Sequence, residues 1–211
     1  MYTVMYGTEV AMGQFLARPE LLLPTLPLEF TYSQGRAKGL SRRALEYLTA
    51  TGALELIERG LYRRADAPLA DLGLIAIAIR APRATLCLGS ALVRYGLSDE
   101  IPAAPDIALP RGVRTPMLDA PARWHHFNAE TFDLGRSEIA LDEQTKIGLY
   151  SPERSIIDAF RTHATEGNEQ AVTALRRWVR QRGSQPSALL ALAEHWPRTR
   201  PALLKTLEVL L

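Results

Sequence analysis

Three glycines, Gly39, Gly52 and Gly60, cut the stretch from Phe30 to Arg64 into short pieces. No other feature of the 211-residue chain constrains the fold as tightly. Thr31-Tyr32-Ser33 can cap a short helix running through Lys38, which Gly39 ends, and Ser41 can cap the next one. That second helix, Ser41 to Thr51, carries Ala44, Leu45 and Leu48 on one side and Arg42, Arg43, Glu46 and Ala50 on the other. One face packs and the other is free to touch something. Gly52 stops the helix, and Leu54 to Ile57 and Leu61 to Arg63 read as two short strands around the turn Glu58-Arg59-Gly60. Two helices about a tight turn, trailed by a hairpin, predict a winged helix-turn-helix.

Such a unit enters the major groove with the N-terminal end of its second helix, where basic and amide side chains meet base edges. Ser41, Arg42, Arg43, Glu46 and Tyr47 are therefore the candidate groove residues. Either arginine can read guanine through a bidentate contact. Arg59 at the hairpin tip, with Arg63 and Arg64 after it, is placed to hold phosphates.

Asp66-Ala67-Pro68 marks a boundary, which predicts a DNA-binding domain over 1–67, with residues 1–20 an extension of open role, and a second domain over 68–211. The charge pattern changes at the same place. Residues 1–65 hold 8 basic and 6 acidic side chains, residues 66–173 hold 10 and 15, and residues 174–211 hold 7 and 2. The second domain alternates helix-like segments (Leu69 to Ile79, Ser90 to Tyr95) with strand-like runs (Thr85 to Leu88, Asp106 to Leu109, Trp124 to Phe127, Arg136 to Leu141, Lys146 to Tyr150). It closes on helices, beginning where Ser151-Pro152-Glu153 combines a cap, a first-turn proline and an early acid and running to about His163. Glu169 to Arg182 follows with Val172, Leu175 and Val179 inward and Arg176, Arg177 and Arg180 outward, a second basic surface open to a partner. Ser187 to Trp196 and Pro201 to Leu211 complete an α+β chain.

Several function classes are disfavoured. No apolar run approaches the roughly 20 residues that cross a bilayer, so a cytoplasmic protein without a membrane partner is expected. Cys87 stands alone and reads as a small core residue, and His125 and His126, adjacent on a strand, point to opposite faces and chelate poorly. Neither metal nor cofactor is expected. Leu88-Gly89-Ser90 followed by Asp106 is reminiscent of nucleotidyltransferase sites, but Ala108 stands where the second metal-binding acid belongs. Ser90 then reads as a helix cap and Asp106 as a strand-edge aspartate. Glu143 and Lys146 miss the nuclease spacing by one residue, and Ser151, Asp158 and His163 read as capping and surface pairing, so no enzyme is predicted.

Short motifs in a set order carry a family resemblance. Phe30-Thr-Tyr-Ser-Gln, Gly39-Leu-Ser-Arg-Arg-Ala-Leu, Gly52-Ala-Leu-Glu and Arg59-Gly-Leu-Tyr-Arg resemble the winged-helix domain of the AbiEi family, antitoxins of type IV abortive-infection systems. Ile107-Ala-Leu-Pro-Arg-Gly and Tyr150-Ser-Pro-Glu-Arg-Ser-Ile-Ile-Asp-Ala-Phe-Arg extend the resemblance into the second domain. It implies a transcriptional autoregulator that binds inverted repeats at its own promoter, and a second domain that neutralises a co-encoded AbiEii-type nucleotidyltransferase toxin. The alternative is a winged-helix repressor that answers a small ligand. The proline-interrupted N-terminus departs from the family pattern and leaves Met1 and Met12 both open as the natural start.

Overall fold

The computed structural model describes residues 18–162 and 169–211. Most of the extension expected over residues 1–20, and the predicted helix end at His163, lie outside them. The chain is a mixed α+β protein made of two compact units, Met1–Ala67 and Pro68–Leu211.

The first unit opens with a 3-10 helix, Pro19–Thr25, that contains Pro24. Strand β1 (Glu29–Thr31) leads into α1 (Tyr32–Ala37), whose start is fixed by a capping box: the Thr31 hydroxyl accepts from the Gln34 amide while Gln34 reaches back to the Thr31 amide. Gly39, at φ +94°, makes the turn that an L side chain would resist. Helix α2 (Arg42–Ala50) follows, then β2 (Leu54–Glu58) and β3 (Leu61–Arg64). The strands form one antiparallel sheet in the order β1-β3-β2, so β1, which the hairpin pattern did not predict, lies beside the second hairpin strand. Leu26, Phe30, Leu40, Leu45, Leu48 and Leu54 make the core.

The second unit is built on a five-stranded sheet of order β6-β5-β4-β8-β7. Its elements are α3 (Leu72–Arg80), β4 (Thr85–Leu86), α4 (Leu88–Arg94), β5 (Asp106–Pro110), β6 (Arg123–Phe127), β7 (Arg136–Ala140) and β8 (Lys146–Tyr150). Strand pairs β5/β6 and β4/β8 are parallel, β4/β5 and β7/β8 antiparallel. Strand alternation sorts the side chains: Ile107, Leu109, Ile147 and Leu149 cluster with Leu74 and Ile77 of α3, while Ala108 and Tyr150 join Cys87, Phe127 and Phe132 on the other face. Four helices end the chain, α5 (Pro152–Thr162), α6 (Glu169–Val179), α7 (Pro186–Ala193) and α8 (Arg200–Leu210), packed around Ile157, Leu175, Trp178 and Leu203.

Several boundaries differ from the sequence pattern, among them those of three helices. Helix α3 begins at Leu72, three residues late, because the Asp71 carboxylate caps it by accepting the Leu74 amide at 3.0 Å. Helix α4 begins at Leu88, at φ +43°, so β4 stops at Leu86. Helix α6 ends at Val179, and its fully buried stripe is Ala171, Ala174, Leu175 and Trp178, with Val172 and Val179 at the margin. Among the described residues no helix is long and apolar enough to cross a membrane.

Candidate nucleic-acid interface

Helix α2 is oriented by what it buries. Leu45 and Leu48 are sealed in the core of the first unit, and the Ser41 hydroxyl accepts the Ala44 amide at 3.1 Å to fix the helix start. Arg42, Arg43, Glu46 and Tyr47 are consequently all exposed, Tyr47 to 51%. Arg42 is not a loose cation: its Nε donates to Glu46 Oε1 at 2.9 Å, and this bond raises the guanidinium above its ordinary pKa. Tyr32 and Tyr62 lie close enough to add to that effect. The Tyr62 hydroxyl, pushed up chiefly by burial, stays a neutral donor. Its ring stacks on Phe30 with centroids 5.8 Å apart. Arg59 sits exposed at the hairpin turn, where the Gly60 carbonyl accepts the Tyr32 amide at 2.8 Å and ties the hairpin to α1.

Two of the residues expected to hold phosphates do other work. Arg63 is buried and paired through Nε with the equally buried Glu29 at 2.9 Å, because alternation along β3 puts it on the buried face with Leu61, directly opposite Glu29 of β1. Arg64 is largely covered and is engaged by Asp66, with Nε donating to Oδ1 at 2.9 Å, a bond that holds the Asp66 carboxyl below its usual range. The Glu29–Arg63 pair was missed because a three-residue strand and one acid give no periodic signal.

The basic helix of the second unit is also less uniform than its pattern. Arg176 and Arg180 are exposed, Arg180 lying one residue beyond α6. Arg177 is half-buried and clamped to both oxygens of Asp99, whose carboxyl it holds below the ordinary aspartate range. The outward trio is therefore two available cations and one ion pair.

The motif that suggested nucleotidyltransferase chemistry is occupied by structural contacts. Ser90 sits inside α4 rather than capping it, and its hydroxyl accepts the Asp106 amide at 2.8 Å. Asp106 is not exposed at a strand edge but buried at the start of the inner strand β5, bound by Arg123 Nε and His125 Nε2 at 2.9 Å each. His126 turns the other way, to the Val113 carbonyl at 3.1 Å, as strand alternation requires. Cys87 is buried, which pushes its thiol well above the usual range. Among the described residues no group of three or more His, Cys, Asp or Glu side chains is arranged to hold a metal ion. Asp106, Arg123 and His125 also line an open cleft of about 590 Å³ with Glu100, Ile101 and Pro102.

Asp158 does not make the surface pairing its spacing suggested. It is fully buried, accepting from Arg154 Nε at 2.8 Å and lying 3.1 Å from Arg161. Burial pushes its carboxyl up against the pull of both arginines. Arg154, itself without exposure, donates Nη1 to the carbonyls of Thr131 and Leu134 and lies over the rings of Tyr150 and Trp196 at 4.4 and 4.3 Å. Ser151 does cap, its hydroxyl accepting the Arg154 amide at 3.2 Å, and His163 lies outside the described residues.

Comparison with known proteins adds a fold likeness. No family model and no curated protein matches the chain. Among solved structures it is similar to the RV2827C protein from Mycobacterium tuberculosis, at 20% identity and a TM-score of 0.60, over 89% of this chain and 75% of that one.

Proposed function

We propose that this chain is a DNA-binding antitoxin and transcriptional autorepressor of a bacterial toxin–antitoxin operon. In this reading β1, α1, α2 and the β2–β3 hairpin form a winged helix-turn-helix, α2 lies in the major groove of promoter inverted repeats, and Arg59 on the wing holds a phosphate. The observation that carries it is the outward face of α2, where Arg42, Arg43, Glu46 and Tyr47 stand exposed while Leu45 and Leu48 lock the helix from behind. The toxin partner, a nucleotidyltransferase of AbiEii type, rests on the AbiEi resemblance, and the cytoplasmic setting is the one in which a bacterial promoter is met.

Titration of the full chain against its own promoter and a scrambled duplex at fixed salt tests the DNA half. Arg43→Ala reduces the preference for the promoter, whereas Arg59→Ala weakens both duplexes alike and lowers the salt slope by about one. Unchanged binding in Arg42→Ala, Arg43→Ala and Arg59→Ala removes this unit from the DNA. The antitoxin half is tested by co-expression with an adjacent nucleotidyltransferase gene.

One observation favours a second reading, a repressor answering a small ligand. The cleft beside Asp106 falls within the roughly 300–1,000 Å³ range of small-molecule sites. An adjacent nucleotidyltransferase whose toxicity the full chain fails to relieve would move the balance to it.

A further inference from the structure

Glu46 is an odd neighbour on a surface meant for a polyanion. A carboxylate on the groove face of α2 repels phosphates, and in the major groove only the exocyclic amines of cytosine and adenine offer it protons. It is also held in place, since Arg42 Nε donates to Glu46 Oε1 at 2.9 Å across one helical turn. A guanidinium bonded through Nε keeps both Nη groups as a planar fork, and the described residues provide that fork with no other acceptor. Both side chains are exposed, so the fork faces solvent with its rotamer restrained before any ligand arrives. The planar fork suits any edge with two acceptors, a phosphate or guanine O6 and N7 alike, and it is the carboxylate beside it that disfavours the phosphate. Arg43, about 100° further round the helix, is restrained by no carboxylate among the described residues.

We infer that Arg42 and Glu46 act as one unit that reads a G·C base pair, the Arg42 fork on guanine O6 and N7 and Glu46 accepting from cytosine N4. This rests on the DNA-binding reading above and adds a base identity to it. The carboxylate contributes to specificity as much by exclusion as by attraction, because it lowers affinity wherever the groove offers it only acceptors.

Selection of the full chain against randomised duplexes tests the inference, followed by titration of the selected site and of the same site with that pair changed to A·T. The parent selects G·C at one position of each half-site, with a preference of about 5- to 150-fold. Arg42→Lys keeps the charge but loses the fork, so the preference there collapses while affinity for random duplex stays within about threefold. Glu46→Ala moves the two readouts apart: random-duplex affinity rises as a repulsive charge leaves, and discrimination falls as the fork loses its restraint. A pair that merely solvates the helix changes neither. Circular dichroism confirms that both variants are folded. Selection of no base pair, or a preference retained in both variants, overturns the inference and leaves the DNA-binding reading standing. Failure of the parent to hold any duplex at low salt overturns both.

Discussion

Arg42–Glu46 and Arg154–Asp158 are the same pair on paper: an arginine four residues ahead of an acid on one helix, bonded through Nε at 2.9 and 2.8 Å. In the first unit the two side chains are 81% and 61% exposed, and in the second both are at 0%. What differs is the setting of the pair. Around Arg154 stand two backbone carbonyls and three aromatic rings, and around Asp158 a second arginine of the same helix, Arg161. Around Arg42 there is solvent, with Tyr32 and Tyr62 at the margin. One spacing thus yields a surface device that keeps donors available and a core device that spends nearly all of them.

The largest effect should come from breaking the buried pair. Arg154→Ala leaves the Asp158 carboxylate without its closest partner and strips donors from the carbonyls of Thr131 and Leu134. Removing one member of a buried pair costs about 3–5 kcal/mol. The urea midpoint should drop accordingly, and a joint replacement by apolar residues of similar volume should lose less than the single truncation. If the single variant unfolds like the parent, Arg154 is not holding the unit together. Position 135 offers no relief, since Gly135 lies at φ +70° and a Cβ there would come within 2.8 Å of Arg154 Cβ.

A smaller effect separates two aspartates by their titration. Asp158 is held above the ordinary carboxylate range by burial, and Asp99 below it by its bond to Arg177. The signs of their linkage to folding are opposite. The contribution of Asp158 is fully present below its unfolded pKa and is lost as pH rises through its folded value. That of Asp99 is present above its unfolded pKa and is lost as pH falls through its folded value. Carboxyl NMR on acidification should therefore show Asp158 taking up its proton before Asp99. The reverse order would mean that the pull of Arg154 and Arg161 outweighs desolvation.

The contrast also shows what a sequence can disclose. Thr31, Ser41, Gly39 and Gly52 announce the helices of the first unit because caps and positive φ are local chemistry, readable within four residues. Strand β1 and the Glu29–Arg63 pair are not local: they exist because β1 lies beside β3, a pairing across roughly thirty residues that no period reveals. The same limit explains Asp158, whose position on a charged-looking helix gave no hint that Phe127, Tyr150 and Trp196 close over its partners. Arg42, Arg43, Glu46 and Tyr47 were legible because exposure opposite a buried stripe follows from helix period alone, and Arg63 was misplaced because a strand assigned without its neighbour has no inside.

The smallest effect concerns the exposed pair, and it sharpens the comparison most. An arginine ahead of an acid is the less favourable order for the helix dipole, and an exposed pair is screened by water and salt while holding two long side chains in one geometry. A double-mutant cycle of Arg42→Ala and Glu46→Ala on unfolding should accordingly give a coupling near the limit of measurement that vanishes in high salt. The corresponding cycle on Arg154 and Asp158 should give a large coupling that salt barely touches. A strong, salt-resistant coupling between Arg42 and Glu46 would mean that their geometry serves the stability of α2. A small coupling leaves the pair with little structural purpose of its own, so a base preference lost in Arg42→Lys would then be assigned to the contact with DNA rather than to a weakened helix.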